Sequence, residues 1–580
     1  MFLLSLKLKK SKRILAIKKK IIFQDNKYIL DMINDKKNFD LSKNIFILIL
    51  GQPTNKNDDY LDLKEIFEKI KDLQKKKAIL EYLKNLCGAF SIVIFFLNSR
   101  RFIIFREKDG FIPIFYQKKN SQEIFISDSL KLLRDDNKLR INRFFLKKYI
   151  YYRYNYIYGN SETFYEGVNY VPAAAVVTIS GNKVNTSIHT KLRFKIFNSI
   201  SYEMAKKKIY NYSLELFDKR KKNYDNKTIL ALSGGLDSTT AAFFLSKINK
   251  KIASFTSNYN SNLLIDESVK AKKVSKLYSK KWLKININAN DFLKSWKNIY
   301  KFYSTPLPTS SSLGYHIVYE KIKKKGFNKI INVGSPDHYF LGNYPAFLYY
   351  LSDLYRDKNK IFKSEIATWI KFHSTKKFPK TLKTFKNFYL SNILNDKSYT
   401  IQPKAELMTT KYVNDLNLMK PHKFTNSSYV NAYLNFSLWH SERAPGLVTF
   451  EELSHATGIE TIDPFIGEKI KNFCYSLPTS YKIKNSTGKF ILRDLMKEYL
   501  PKDIINFKGK IGFDVPFEQW AYKNVGMNKF ILDIFISNEK NLFVKDLNMN
   551  EIIKDFKKNK INSMFLWQIT NAILWAKSLH

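Results

Sequence analysis

The chain has 580 residues, 44% of them hydrophobic, and 99 lysines and arginines against 51 aspartates and glutamates give it a formal net charge of +48. That length and apolar content point to a globular protein with two or more domains. Two cysteines, Cys87 and Cys474, exclude a disulfide framework, and no apolar run approaches the roughly 18–20 residues of a membrane span, so a cytoplasmic enzyme is expected.

The opening Met1-Phe2-Leu3-Leu4-Ser5-Leu6 is too short for a signal core, and its lysines follow the apolar part instead of preceding it. Up to about residue 190 the pattern is strand-rich: the runs at 45–50, 90–96 and 102–105 are short, apolar and separated by turn residues, with Gly110 and Pro113 after the last. From about residue 200, strands at 252–256 and 329–333 bracket helical stretches around 267–279 and 312–325, as in a parallel α/β sheet. The pattern from about 350 to 580 is mainly helical. Two domains are the economical reading, 1–195 and 200–580.

The positive charge is mostly lysine, in short runs such as Lys18-Lys19-Lys20, Lys75-Lys76-Lys77 and Lys323-Lys324-Lys325. Lysine enrichment beside many Asn, Ile, Phe and Tyr fits a compositional drift of the coding sequence toward A and T. A polyanion contact through the basic surface stays open as the other reading, because acidic residues lag so far behind.

The most informative stretch is Ser233-Gly234-Gly235-Leu236-Asp237-Ser238, placed between the apolar run 229–232 and a helical-looking segment at 239–245. Strand, glycine-rich turn and helix in that order make a phosphate cradle: the glycines let backbone N–H groups turn toward an anion, Ser233 and Ser238 add hydroxyl donors, and the helix dipole favours negative charge. Asp237 is repelled by a polyphosphate unless a divalent cation lies between them, which implies Mg²⁺. An ordinary turn followed by a helix cap is the plainer alternative.

The loop resembles the SGGxDS pyrophosphate loop of the ATP pyrophosphatases, which implies ATP as the nucleotide and AMP and pyrophosphate as products. Other pieces resemble the asparagine synthetase family in its own order. Residues 87–94 and 105–116 are similar to its G-x-F-(A/S) and A-R-D-x-x-G-x-x-P-L-Y-Y pieces, and 164–168 with Val171-Pro172 to its F-x-G-V element. Asp266-Glu267 matches a D-E segment; residues 458–465, 488–493 and 510–516 are similar to G-(L/V)-E-x-R-x-P-F, G-K-x-(I/L)-L-R and K-x-G-F-x-(V/I)-P. The resemblance implies an α/β fold: an N-terminal nucleophile hydrolase-like sandwich, related to glutamine amidotransferases, followed by an adenine nucleotide α hydrolase-like parallel-sheet domain with a helical C-terminal part.

By the same resemblance Ser233, Gly234, Gly235 and Ser238 would hold pyrophosphate, and Leu232, Ser257 and Gly334 would line the adenosine pocket. Asp237 and Asp337 would hold Mg²⁺, and Lys510 would neutralise pyrophosphate and the developing oxyanion. The implied reaction adenylates a small carboxylic acid, aspartate or a peptide side chain, and passes the acyl group to ammonia or an amine. A homodimer is a further expectation.

The chain also departs from the family. Position 2 is Phe2 where glutamine-dependent members carry the nucleophilic cysteine, the N-G-E triplet reads Leu50-Gly51-Gln52, and Glu107 replaces the Asp of A-R-D. A phenyl ring supplies no nucleophile, so an inactive glutaminase scaffold is expected. Residues 333–344 keep Asp337 but lack the Glu of the family's G-E-G, His338 follows where an acidic residue is usual, and Ile462 replaces the Arg of E-x-R-x-P-F. An Asp-His pair is similar to lasso-peptide cyclases, so a cyclase or specialised-metabolite amide synthetase related to these or to β-lactam synthetases is the second enzyme reading. A nucleic-acid-binding protein and a catalytically silent scaffold are the readings from other classes.

Overall fold

The computed structural model describes residues 1–8, 20–24, 28–34, 39–73, 75–120, 123–136, 139–151, 161–190, 196, 199–259, 266–373, 381–390, 428–431, 433–434, 443–508, 513–537 and 547–579. Before residue 190 two antiparallel six-stranded sheets lie face to face. The first runs Val168–Tyr170, Phe115–Lys118, Ile124–Ser127, Phe2–Leu8, Tyr28–Asn34, Lys20–Gln24; the second runs Lys183–Ile188, Ala175–Ser180, Arg101–Arg106, Cys87–Phe96, Ile45–Thr54, Phe39–Leu41. The opening segment is thus a strand inside a sheet.

The strand Ile45–Thr54 shows why its sequence is apolar without alternation. Phe46 and Leu48 pack with Phe2, Leu4 and Val93 between the sheets, while Ile45, Ile47 and Ile49 face Ile66, Phe67, Ile70, Ile79 and Leu83 of the helices Leu63–Leu73 and Lys76–Lys84. Successive side chains point to opposite faces, and here both faces are covered.

Beyond residue 200 the strands form a five-stranded parallel sheet in the order Trp282–Ile287, Ala253–Tyr259, Thr228–Ala231, Lys329–Ile331, Glu460–Ile462. The helices Leu236–Lys247, Ser268–Tyr278 and Ser310–Lys323 connect it, close to where periodicity puts them. The edge strand Glu460–Ile462 was hidden inside a stretch that reads as helical, because three residues are too few to show a period of two. Strand order reverses direction between Thr228–Ala231 and Lys329–Ile331. A crevice opens at the carboxyl ends of the strands at such a point, and open α/β sheets bind ligands there.

The two regions share packing. The largest apolar cluster contains Phe145, Tyr149, Phe164 and Tyr165 from the first together with Trp296, Leu307, Trp567 and Trp575 from the second. Tyr149 Oη donates to the Leu307 carbonyl at 2.7 Å, and the rings of Phe164 and Trp575 meet edge to face at 5.5 Å. The late helices Arg443–Thr457 and Ser563–Lys577 join the cluster on one face of the parallel sheet, with Ile229 and Ile330, and Glu468–Ser476 joins the cluster on the other, with Leu230 and Ile331. Among the described residues no helix is long and apolar enough to cross a membrane.

Candidate active site

The glycine-rich loop leaves the strand Thr228–Ala231 at the carboxyl side of the sheet. Leu232 is buried, and its N–H still donates to the Phe255 carbonyl at 2.8 Å, so the strand pairing continues to the mouth of the loop. Gly234 then turns the chain with φ +76°, and Gly235 caps the helix Leu236–Lys247. A Cβ on Gly234 would lie 2.9 Å from the Ala271 nitrogen and from Lys270 Cβ, so a side chain is excluded both by conformation and by the neighbouring helix. The serines hold the loop's own shape: Ser238 Oγ accepts the Ser233 N–H at 3.2 Å, and Ser233 Oγ accepts the Gly235 N–H at 3.1 Å. Ser257 is half-buried on Ala253–Tyr259, the strand beside the loop, where the Thr256 hydroxyl donates to the Leu232 carbonyl at 2.6 Å.

Across the reversal point, the strand Lys329–Ile331 leads into Val333, Gly334 and the short helix Ser335–Tyr339, which carries Asp337 and His338. Asp463, just past the edge strand, accepts the N–H groups of Gly334 at 3.1 Å and Ser335 at 2.7 Å through one carboxylate oxygen. It therefore fixes the segment that presents Asp337. Gly334 is exposed at the crevice, and the Ile462 carbonyl at the end of the edge strand accepts the Asn332 N–H at 2.9 Å.

Asp237 and Asp337, one from each side of the crevice, converge on the ammonium of Lys489. Lys489 Nζ lies 2.6 Å from Asp337 Oδ1 and also pairs with Asp237 Oδ2. Burial, the largest influence, pushes the Lys489 pKa down, but the two carboxylates more than reverse it and hold the ammonium charged. Lys489 stands in the left-handed region with φ 57°, and its N–H donates to the Phe340 carbonyl at 3.0 Å, which ties it to the Asp337 segment. Gly342 makes room for it: a Cβ there would come within 1.9 Å of Lys489 Cε and 2.6 Å of Asp337 Oδ1. Arg493, one helical turn on, donates to the carbonyls of Gly488 at 3.1 Å and Ile505 at 2.8 Å.

Two carboxylates that share one cation at these distances have the donor chemistry of a site for a hard divalent ion, with the ammonium standing where positive charge is required. The residues present thus fit Mg²⁺. Of the residues singled out from the sequence, Ser233, Gly234, Gly235, Asp237 and Ser238 lie on one side of the crevice and Gly334 and Asp337 on the other, with Leu232 and Ser257 on the strands behind. Lys510 lies outside the described residues. Lys489 and Asp463 carried no role in the sequence reading, although both fall within quoted motifs. The signal that singles out Lys489 is its place as the lysine of the G-K-x-(I/L)-L-R piece; its charge alone does not separate it from the other basic residues of so lysine-rich a chain.

At the opposite domain, Phe2 is buried between the sheets, and the Arg106 to Phe111 turn is held from within. Arg106 donates to the Val171 carbonyl at 2.5 Å and stacks 4.4 Å over the Tyr170 ring; Glu107 accepts the N–H groups of Asp109 and Phe111. Burial, then the neighbouring Asp109, pushes the Glu107 pKa up to about 7.

Residues 219–577 match the family model described as asparagine synthase, and residues 74–190 match that of a glutamine amidotransferase domain. The chain is 20% identical over 528 residues to "Asparagine synthetase [glutamine-hydrolyzing] 1" of Bacillus subtilis (strain 168), spanning 85% of this chain and 78% of that one. Among solved structures, NMN synthetase from Francisella tularensis aligns at 14% identity with a TM-score of 0.19, over 25% of this chain and 60% of that one. The allosteric regulatory enzyme of purine biosynthesis aligns at 7% identity with a TM-score of 0.18, over 43% of this chain and 61% of that one. These two alignments are too loose to carry an argument.

Proposed function

The chain belongs to the asparagine synthase family and is an ATP-dependent amide ligase of that type, and from this premise we propose that it adenylates a small carboxylic acid, aspartate first among the candidates, and transfers the acyl group to free ammonia or an amine. The observation that carries the proposal is the convergence of Asp237 and Asp337 from the two sides of the crevice on one cation position.

A carboxylate resists amines because its leaving group would be oxide. In the proposed reaction a carboxylate oxygen bonds to the α-phosphorus of ATP and the bond to the bridging oxygen breaks, releasing pyrophosphate. The amine nitrogen then attacks the acyl carbon, AMP leaves with the former carboxylate oxygen, and a proton passes from nitrogen to solvent. Ser233, Gly234, Gly235 and Ser238 hold the departing pyrophosphate, Leu232, Ser257 and Gly334 border the adenosine, and Lys510 neutralises charge that develops on leaving oxygens. Asp237 and Asp337 hold Mg²⁺, which when bound supplies the positive charge that a polyphosphate beside two carboxylates requires.

The N-terminal region, 1–195, serves this reaction as a scaffold and does not release ammonia from glutamine. The thiols support that reading: burial pushes the Cys87 pKa up to about 11 and the Cys474 pKa up to about 12, so neither is a thiolate at neutral pH.

ATP–pyrophosphate exchange against a panel of carboxylic acids tests the proposal. Exchange should depend on the acid and fall on the order of 100-fold or more in Asp237→Ala. Exchange that needs no acid, or that Asp237→Ala leaves intact, would refute it. Exchange with peptides but not aspartate would move the substrate to a peptide side chain, the direction in which His338 and Ile462 lean.

A further inference from the structure

A second cluster of ligating side chains lies on elements that carry none of the nucleotide-site residues. The helix Arg443–Thr457 presents Glu451 and His455 one turn apart on one face, and Asp128, directly after the strand Ile124–Ser127 of the first sheet, meets them from the other half of the protein. His455 Nε2 lies 3.1 Å from Glu451 Oε1 and 3.9 Å from Asp128 Oδ2, and one donor atom from each residue falls within 4.8 Å of the others. Metal–ligand bonds of about 2.0–2.2 Å at tetrahedral angles separate ligands by roughly 3.3–3.6 Å, so small adjustments suffice.

Two further features favour a metal over a simple ion pair. The Phe2 N–H donates to Asp128 Oδ1 at 2.8 Å, which orients that carboxylate and leaves Oδ2 toward His455. The side chains of Asp128 and His455 are 10% and 15% exposed and that of Glu451 29%, so the site is sheltered yet open on one side. Against burial, Glu451 and Asp128 favour the protonated imidazole, which leaves one net negative charge among the three side chains; a divalent ion that displaces that one proton to solvent brings the cluster to neutrality.

We propose that Asp128, Glu451 and His455 bind one divalent transition-metal ion, Zn²⁺ by donor chemistry, as a staple between the N-terminal sheet and the helix Arg443–Thr457. Imidazole with carboxylate oxygens suits Zn²⁺ better than the all-oxygen preferences of Mg²⁺ or Ca²⁺, and three protein ligands leave a fourth position for water on the exposed side.

The test uses the full chain carrying Asp237→Ala and Asp337→Ala, so that the nucleotide site takes no ion. Stripped with chelator and dialysed against micromolar Zn²⁺, this parent should retain one equivalent and unfold at a higher temperature than without metal. Co²⁺ in its place should give visible d–d bands without a thiolate charge-transfer band. Adding His455→Gln or Glu451→Gln should weaken retention on the order of 100-fold, with folding checked by circular dichroism. A parent that retains no ion overturns the proposal whatever the variants do. So does equal retention by a folded His455→Gln protein, or a charge-transfer band that assigns the ion to a cysteine.

Discussion

Replacing Lys471 with methionine should lower the unfolding free energy by about 3–5 kcal/mol, the cost of removing one partner from a buried ion pair. Lys471, on the helix Glu468–Ser476, pairs with Asp109 of the N-terminal region and lies 3.0 Å from Glu468. The three side chains are 3%, 5% and 7% exposed, and Lys108 completes a neutral quartet by pairing with Glu468. Methionine fills much of the lysine's volume but leaves the quartet with one uncompensated buried negative charge. The pKa of Glu468 gives an independent magnitude. Burial, the largest influence, pushes it up, but Lys471 and Lys108 more than reverse that and hold it at about 2. Against an unfolded glutamate near 4.3 this corresponds to about 3 kcal/mol of stability at neutral pH. Because the folded pKa is depressed, that stability is present above the unfolded value and is lost as pH falls from about 5 toward 2. Urea unfolding of wild type, Lys471→Met, Asp109→Asn and the double variant, at pH 7 and pH 3, measures both quantities. The cycle should show a coupling of about 2 kcal/mol at pH 7, and the penalty of Lys471→Met should shrink at pH 3. A Lys471→Met protein within about 0.5 kcal/mol of wild type at pH 7 would refute the reasoning.

Gly234→Ala should weaken ATP binding on the order of 10–100-fold, since φ +76° and the 2.9 Å approach to the 268–278 helix force the loop to shift; calorimetric titration giving an unchanged affinity would count against the cradle. Lys489→Met should destabilise the chain by about 2–4 kcal/mol in chelator, because Asp237 and Asp337 lose their shared ammonium. Its folded pKa is raised, so the lysine's contribution is fully present at pH 7 and fades only above about 10.4. Added Mg²⁺ should restore much of the loss in a thermal melt, and equal losses with and without Mg²⁺ would argue against a shared cation position. Asn571→Leu keeps the volume but orphans two buried donors, Trp296 Nε1 at 3.1 Å and Tyr300 Oη at 2.6 Å, and should cost about 2–4 kcal/mol in urea unfolding. A loss below about 1 kcal/mol would mean that those donors find other partners.

Several parts of the fold and site were legible before any coordinates. Apolar runs such as 90–96 and 102–105 become strands, the 236–247 helix begins where Gly235 ends the turn, and Gly234 turns the chain between strand and helix. These features are encoded locally, in periods of two or 3.6 and in the backbone freedom of glycine, so a window of ten residues contains the whole signal. Motif order along the chain likewise identified the family without a contact being known.

The rest depends on residues far apart in the chain. Lys489 meets Asp237 across 252 positions, Asp463 fixes Gly334 across 129, and Lys471 reaches Asp109 across 362. The motif at 488–493 marks Lys489 without saying what it meets; its burial between two carboxylates and the space left by Gly342 come from packing alone. The sequence by itself determined the loop, the elements and the family, because local sterics and hydrophobic periodicity write them. Only the tertiary structure decided which charges meet in the crevice, at the seam beside Asp128 and in the Lys471 quartet. An ion pair is specified by distance and desolvation, and neither is a property of a single stretch of chain.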